Sequence, residues 1–146
     1  TTDGQRLYFV DSETSSVRSA DINPSGRGRT IVGHDLFVFG DVDGSGHDVR
    51  LQHPIGINHY DGVLYIADTY NHKIKKVLPV TRSAFTVLGD GTVGQVDGPA
   101  GQSRFSEPSG GSFADGKMYI ADTNNHSIRV MDYESDMVST LEISGL

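Results

Sequence analysis

One stretch of this sequence occurs twice, and the repetition limits the folds that the chain can adopt. Residues 42–78 and 96–132 are identical at 16 of 37 aligned positions without a gap, so each residue lies 54 positions from its copy. The longest shared run is Tyr65-Ile66-Ala67-Asp68-Thr69. A fixed period of this size is typical of a repeat architecture. A residue that recurs at the period is therefore expected to stabilise the repeat before it is expected to perform chemistry.

Each copy has the pattern of four short strands separated by turns. Asp61-Gly62 and its copy Asp115-Gly116 are strong turn dipeptides, and the apolar, β-branched runs after them favour buried strands. The pattern predicts strands at 54–59, 63–67, 73–77 and 84–88, and again at 109–114, 117–121, 127–131 and 137–141. A diverged copy opens the chain with strands at 7–11, 17–18 and 30–33, without a first strand. No helical pattern of convincing length occurs.

Four-stranded antiparallel units in tandem are typical of β-propeller blades. We therefore predict an all-β fold in which residues 1–146 form a single partial propeller of about three blades. Blade 1 spans 3–33, blade 2 spans 54–89 and blade 3 spans 108–142, with long connecting loops at 33–54 and 89–108. Because propellers have four blades or more, this length is too short to close a ring.

The segment Leu64-Tyr65-Ile66-Ala67-Asp68-Thr69-Tyr70-Asn71-His72-Lys73-Ile74 and its copy at 118–128 resemble the NHL repeat. The residues Leu36-Phe37-Val38-Phe39-Gly40-Asp41-Val42-Asp43-Gly44 further resemble the thioredoxin-linked NHL-repeat proteins. That resemblance implies a six-bladed propeller beside a thioredoxin-like domain, so this chain would be half of a ring. The chain contains no thioredoxin part, which places any redox activity of that family outside it.

Composition narrows the class of protein further. The chain has no Cys, which excludes disulfides, thiolate metal sites and Cys nucleophiles, and its net charge of −7 argues against a nucleic-acid partner. No apolar run is long enough to span a membrane, so we expect a soluble protein of unassigned compartment, in the cytosol or an organelle lumen. The chain begins with Thr1, and we favour an excised piece of a propeller over the alternative, a homodimer that completes the ring.

One rim of the propeller is the candidate partner-binding surface. The turns at 68–73 and 122–127 are expected to open on the same rim as the two long loops, and loops on a rigid scaffold commonly carry recognition. The candidate binding residues are His47, Arg50, His53, Tyr70, His72, Arg104, Asn124 and His126. The copies differ at three of these places, with Tyr70 against Asn124, His47 against Gly101 and His53 against Glu107.

Other recurring polar residues are interpreted as structural anchors, because Asp and Asn side chains bond nearby backbone in turns. The predicted anchors are Asp43, Asp68, Asn71, Asp97, Asp122 and Asn125. Arg50 and Arg104 follow Asp43 and Asp97 at the same spacing, which suggests an Arg–Asp clasp on each long loop. We predict no metal site; the calcium alternative is the loop carrying Asp41, Asp43, Ser45 and Asp48, which lacks the closing Glu of a calcium loop.

These observations favour a non-catalytic scaffold that binds a protein partner or a neighbouring domain, without a cofactor. The first alternative is a metal-dependent lyase, since some NHL-type propellers resemble such enzymes with His ligands in the central channel. Only His59 is placed for that role, and its copy is Phe113. The second alternative is an RNA-binding module, which the mixed charge of the rim disfavours.

Overall fold

The computed structural model describes residues 1–145 and contains three antiparallel sheets, one for each repeat. Blade 1 is built from β1 (Arg6–Asp11), β2 (Ser16–Asp21) and β3 (Gly28–Val32). Thr2 pairs with Leu7 at the edge of β1, where the other blades have their innermost strand. The fold is thus all-β and propeller-like, as the repeat predicted.

Blades 2 and 3 each contain five strands in the described residues. Blade 2 comprises β4 (Gly44–Ser45), β5 (Gly56–Tyr60), β6 (Val63–Asp68), β7 (Lys73–Leu78) and β8 (Ser83–Leu88), in the spatial order β4-β8-β7-β6-β5. Blade 3 comprises β9 (Gly98–Pro99), β10 (Pro108–Ala114), β11 (Lys117–Asp122), β12 (Ser127–Asp132) and β13 (Met137–Thr140), in the order β9-β13-β12-β11-β10.

The two-residue strands β4 and β9 lie inside the long loops, which were predicted to be connections without strands. Gly44 and Ser45 pair with Ala84 and Ser83 on the outer edge of blade 2, and β9 pairs in the same way with β13. Each long loop therefore crosses its own blade and covers the exposed edge of the outermost strand. Such coverage protects unpaired backbone groups from association with other strands.

Four single turns of 3₁₀-helix connect the strands. They span Gly46–Asp48, Thr69–Asn71, Ala100–Gln102 and Thr123–Asn125. Within the described residues, no helix is long and apolar enough to cross a membrane.

Two apolar cores lie between neighbouring blades. Because side chains alternate across a strand, Leu64 and Ile66 of β6 enter the core shared with blade 1, whereas Tyr65 and Ala67 enter or pack on the core shared with blade 3. The repeat signature therefore codes for a strand that is buried on both faces. Blade-to-blade packing accounts for the burial of these residues, which is how repeat proteins are stabilised.

Candidate functional site

The turn between β6 and β7 is bound directly to the long loop of the same blade. The Asp68 carboxylate accepts the Gln52 amide at 2.7 Å, and the Asn71 side chain donates to the Gly40 carbonyl at 2.7 Å. Asn71 also donates to Asp68 at 2.8 Å. The loop and the turn thus form one surface, which we call the turn rim: the loops 33–54 and 89–108 with the turns 68–73 and 122–127.

Blade 3 repeats this network with nearly the same distances. Asp122 accepts the Ser106 amide at 2.8 Å, and Asn125 donates to the Gly94 carbonyl at 2.8 Å and to Asp122 at 2.8 Å. All of these side chains bond to backbone or to one another. These hydrogen bonds hold the long loop against the turn between the second and third long strands of the blade.

A buried lysine holds the long loop of blade 2. Lys75 is fully buried on β7, and its Nζ lies 2.6 Å from Asp41 and 2.7 Å from Asp43, with Asp68 at 3.9 Å. Asp43 also accepts the Thr86 amide at 2.8 Å. We call Lys75 with Asp41 and Asp43 the cation clamp of blade 2.

Arg129 has the corresponding position in blade 3. Its fully buried guanidinium donates to Asp97 at 2.6 Å and to Asp122 at 2.8 Å. It also donates to the carbonyl oxygens of Arg104 and Val96 at 2.8 and 2.9 Å. The two terminal nitrogens of the guanidinium thus donate to four acceptors, and Nε has no partner among the described residues. A lysine, with three donors, could not satisfy these four acceptors in the same geometry.

The predicted Arg–Asp clasp is wrong in its basic partner. Arg50 donates instead to the carbonyl oxygens of His47 and Val49, and Arg104 pairs with Asp90 at 2.8 Å. The carboxylates of Asp43 and Asp97 are bound from the opposite side by Lys75 and Arg129. Burial explains this pairing. A cation on the covered face of the third strand of the blade is shielded from water, so it pairs with the nearest carboxylates.

A sequence signal for these two cations was available. Lys75 and Arg129 are both basic at the same position of the repeat, and Arg18 occupies it in blade 1. The Arg18 Nε lies 3.2 Å from Asp11, which corresponds to Asp68 and Asp122. A basic residue that occupies the same repeat position in all three blades, directly after a β-branched apolar residue, indicates a paired charge on the covered face of the strand.

Burial and ion pairing displace the pKa values of these carboxyl groups in opposite directions. Burial raises the pKa of Asp68 to about 7, although the bonds from Asn71 and Gln52 oppose the change. Partial burial acts in the same direction on Asp41 and Asp43. Hydrogen bonds from Lys73 and Lys75 outweigh it at Asp41, and those from Lys75 and Thr86 outweigh it at Asp43, so the pKa of both groups stays below the ordinary value. Asp68 is therefore the carboxyl group of this network that ionises near neutral pH.

The loop proposed as the calcium alternative carries this clamp. The carboxylates of Asp41 and Asp43 both face the ammonium group of Lys75, and Asp41 also binds Lys73. The Ser45 hydroxyl lies 3.3 Å from that of Ser83 on the edge of the blade, and Asp48 is exposed. Within residues 1–145, no group of three or more His, Asp or Glu side chains is placed to hold a metal ion.

His59, the candidate for a lyase-type site, lies on β5 and stacks against Tyr8. The two ring centroids are 6.0 Å apart with an interplanar angle of 13°. Its backbone amide donates to the Thr1 hydroxyl at 3.2 Å. Tyr8 in turn donates to the Asp3 carboxylate at 2.7 Å, and among residues 1–145 no group of three metal-ligating side chains forms around His59.

The signature histidine connects neighbouring blades. His72 ends its 3₁₀ turn in the left-handed conformation (φ 56°), and its Nδ1 accepts the Glu107 amide of the next blade at 3.1 Å. In blade 1, the Ser15 hydroxyl accepts the His53 amide at 3.2 Å in the same way. His126 repeats the backbone conformation at φ 52°, and it lines a groove on the outer face of blade 3 with Ile128, Leu141 and Ile143.

The remaining candidate binding residues are held by their own loops. His47 Nδ1 lies 2.9 Å from the Gly33 carbonyl oxygen, and the Asn124 amide donates to the Ser106 carbonyl at 3.0 Å. His53 and Tyr70 are brought together as a stacked pair with ring centroids 4.6 Å apart. Of the eight predicted rim residues, these two therefore form a direct side-chain cluster.

The most exposed apolar segment of the turn rim was not predicted from the sequence. Leu36, Phe37 and Phe39 lie in the first long loop, and Phe37 is 84% exposed with φ 69°. The uninterrupted apolar run Leu36-Phe37-Val38-Phe39 contributes to the sequence prediction only through the family resemblance. A run of large apolar residues inside a connecting loop is the signal that could have identified them.

A comparison with protein-family models finds no match for this chain. Among curated proteins, it is 42% identical to Protein SUPPRESSOR OF QUENCHING 1, chloroplastic, of Arabidopsis thaliana, over 99% of the chain and 15% of that protein. It is 43% identical to human NHL repeat-containing protein 2, over 94% of the chain and 20% of that protein. The chain thus spans a fifth or less of the length of these relatives.

Solved structures show the same fold. An auxiliary nutrient binding protein from Bacteroides ovatus matches with a TM-score of 0.75 at 22% identity, over 95% of this chain and 36% of that one. A protein of unknown function from Bacteroides thetaiotaomicron matches with a TM-score of 0.74 at 25% identity, over 86% of this chain and 32% of that one. In both cases, this chain aligns with about a third of a longer chain.

Proposed function

We propose that this chain is a non-catalytic scaffold that binds a protein partner or a neighbouring domain through the turn rim. The chain belongs to the NHL-repeat proteins, and its homologues include NHL repeat-containing protein 2 and a chloroplastic relative. The observation that carries the proposal is the exposed apolar segment at Leu36, Phe37 and Phe39. Contiguous exposed apolar side chains on a folded protein commonly mark an interaction site.

The surroundings of this segment support the same function. The carboxylates and amides behind it are engaged in holding the loop, so the polar groups of the turn rim supply rigidity rather than a reactive centre. A rigid scaffold under an exposed loop lowers the ordering cost of association. The partner would therefore meet a fixed apolar surface that includes Tyr70, which is also half exposed.

Site-specific photo-crosslinking tests the proposal. A benzophenone amino acid replaces Phe37 in one variant and Val80 in a control variant, because Val80 is 95% exposed in the hairpin between β7 and β8, at the opposite end of the blade. We expect a discrete adduct from position 37 in cells of the source organism, and its loss when Phe39 is replaced by Ser. Equal adducts at both positions, or adducts only at position 80, would refute binding through the turn rim.

We further propose that the outer faces of the three-blade stack are covered in the functional protein, by another blade or by a second copy of this chain. Leu7 and Phe9 are exposed on blade 1, and Leu141 and Ile143 are exposed on blade 3. The mass in solution distinguishes the two coverings, since a tight dimer indicates the second copy. A monomer that keeps these faces exposed in the full-length protein would contradict both.

A further inference from the structure

A cavity on the turn rim lies where blades 1 and 2 meet. Its volume is about 260 Å³, and it is open to solvent. Three rings and four polar side chains supply its walls: Phe39, His53 and Tyr70, with Ser12, Glu13, Ser15 and Gln52. Ser12, Glu13 and Ser15 come from the turn between β1 and β2 of blade 1, and the rings and Gln52 come from the turn rim.

The aromatic wall is held in place by the backbone. His53 has a left-handed conformation with φ 50°, and its amide donates to the Ser15 hydroxyl of blade 1 at 3.2 Å. The Tyr70 amide donates to the Gln52 carbonyl at 3.1 Å. The two rings stack with an interplanar angle of 18°. A ligand would therefore meet ring faces that are already positioned.

The polar side of the cavity carries a carboxylate that is not paired. Among residues 1–145, the side chains of Glu13, Ser12 and Gln52 make no hydrogen bond, and Glu13 makes no ion pair. The neighbouring cations of the turn rim are engaged elsewhere, since Lys73 binds Asp41 and Arg50 binds carbonyl oxygens. The cavity thus combines aromatic side chains with one solvent-exposed carboxylate, that of Glu13.

The repeat shows that the fold does not require these rings. At the equivalent junction of blades 2 and 3, Val93 corresponds to Phe39, Glu107 to His53 and Asn124 to Tyr70. The backbone bonds at that junction are the same, with the Glu107 amide accepted by His72 and the Asn124 amide donated to Ser106. Because the scaffold forms without the three rings, their presence at the first junction points to a ligand.

We propose that this cavity binds the guanidinium group of an arginine side chain presented by a partner protein, a site that rests on the proposed scaffold function. A guanidinium stacks on aromatic faces and can donate in its plane to a carboxylate, here that of Glu13. Gln52 and Ser12 supply further acceptors. The exposed Leu36 and Phe37 beside the cavity would contact apolar residues that flank the arginine.

Nuclear magnetic resonance titration of the full chain tests this site with blocked tripeptides. Acetyl-Gly-Arg-Gly-amide is compared with the citrulline peptide, which keeps the shape but lacks the charge, and with the lysine peptide. We expect the arginine peptide to shift the resonances of His53 and Tyr70 with a Kd in the millimolar range. The citrulline and lysine peptides should bind at least about 10-fold and 3-fold more weakly, because the first lacks the charge and the second lacks the planar, stacking group.

Two variants locate the binding. Glu13→Gln should weaken the arginine peptide about 5-fold, and Tyr70→Asn, which introduces the residue found in the other copy, should abolish the shifts. Glu107→Gln, a matched loss of charge at the second junction, should change nothing. Equal binding of the citrulline or lysine peptide, no shift with any peptide, or equal effects of the two Glu→Gln variants would overturn the proposal.

The peptide titration and the crosslinking experiment test the two proposals separately. If crosslinking at position 37 succeeds while the arginine peptide does not bind, only the identity of the ligand is wrong. If the peptide binds while crosslinking fails, the scaffold function of the turn rim is wrong and the cavity stands as an isolated cation site.

Discussion

We expect Asp68→Asn to remove a loss of stability that the wild-type protein undergoes as the pH rises from about 4 to about 8. Burial raises the pKa of Asp68 to about 7 in the folded protein, against an ordinary value of 3.8. Because the folded pKa is the higher one, the stabilising contribution is complete below about pH 4, where both states are protonated. It is lost as the pH rises through about 7, since only the unfolded chain ionises freely in that interval.

The size of the effect follows from the two pKa values. A difference of this size corresponds to about 4 kcal/mol in the free energy of unfolding. The substitution also has a cost that does not vary with pH, because the Asn71 side chain loses its acceptor on Asp68. That cost is about 1–3 kcal/mol. The variant should therefore be the less stable protein near pH 4 and should approach or exceed the wild type near pH 8.

Urea denaturation at pH 4, 5, 6, 7 and 8 measures both proteins. The difference between their free energies of unfolding is the informative quantity, because the other carboxyl groups contribute equally to both. Asp48→Asn is the matched control, because Asp48 is exposed and the substitution removes the same charge from the same region. A difference between wild type and Asp68→Asn that stays constant across this range would refute the elevated pKa.

Gly56→Ala should lower the free energy of unfolding by about 1–3 kcal/mol, because its Cβ would lie 2.5 Å from the Cα of Gly110 in the next blade. Thermal denaturation checks this against Gly110→Ala, whose Cβ meets nothing closer than 3.9 Å, and similar losses in both variants would contradict it. Lys75→Met should make the first long loop more sensitive to limited proteolysis, because Lys75 binds two carboxylates of that loop. Arg50→Met should increase proteolysis of this loop less than Lys75→Met does. A larger increase with Arg50→Met would support the Arg–Asp clasp predicted from the sequence.

The regular part of the fold was accessible from the sequence because its signals are local. Turn dipeptides such as Asp61-Gly62 and Asp115-Gly116 mark the hairpins, and alternation marks the strands between them. The eleven strands expected from these signals all occur, with bounds that differ by a few residues. The strands β4 and β9 were missed because a two-residue strand has no periodicity and forms only where the loop is carried to the edge of the sheet.

The partners of the loop carboxylates were not accessible in the same way. Asp43 has several cations within reach along the chain, and spacing favoured Arg50. The structure selects Lys75, because its position on β7 is covered by the loop and a buried ammonium group requires acceptors. Charge pairing of this kind depends on which face of a strand is covered, and that depends on the packing of the whole blade.

The sequence by itself determined the repeat, the strands within it and the identity of the residues that recur, because hydrophobic alternation and turn chemistry act over a few neighbouring residues. Only the tertiary structure decided which recurring residues hold the loops and which positions form a surface. His53 and Tyr70 are 17 positions apart in sequence, and Glu13 belongs to another blade, yet all three line one cavity. The rings meet because the long loop of blade 2 is bound to the turn between β6 and β7, and the packing of blade 1 on blade 2 adds Glu13. No local pattern in the sequence records either juxtaposition.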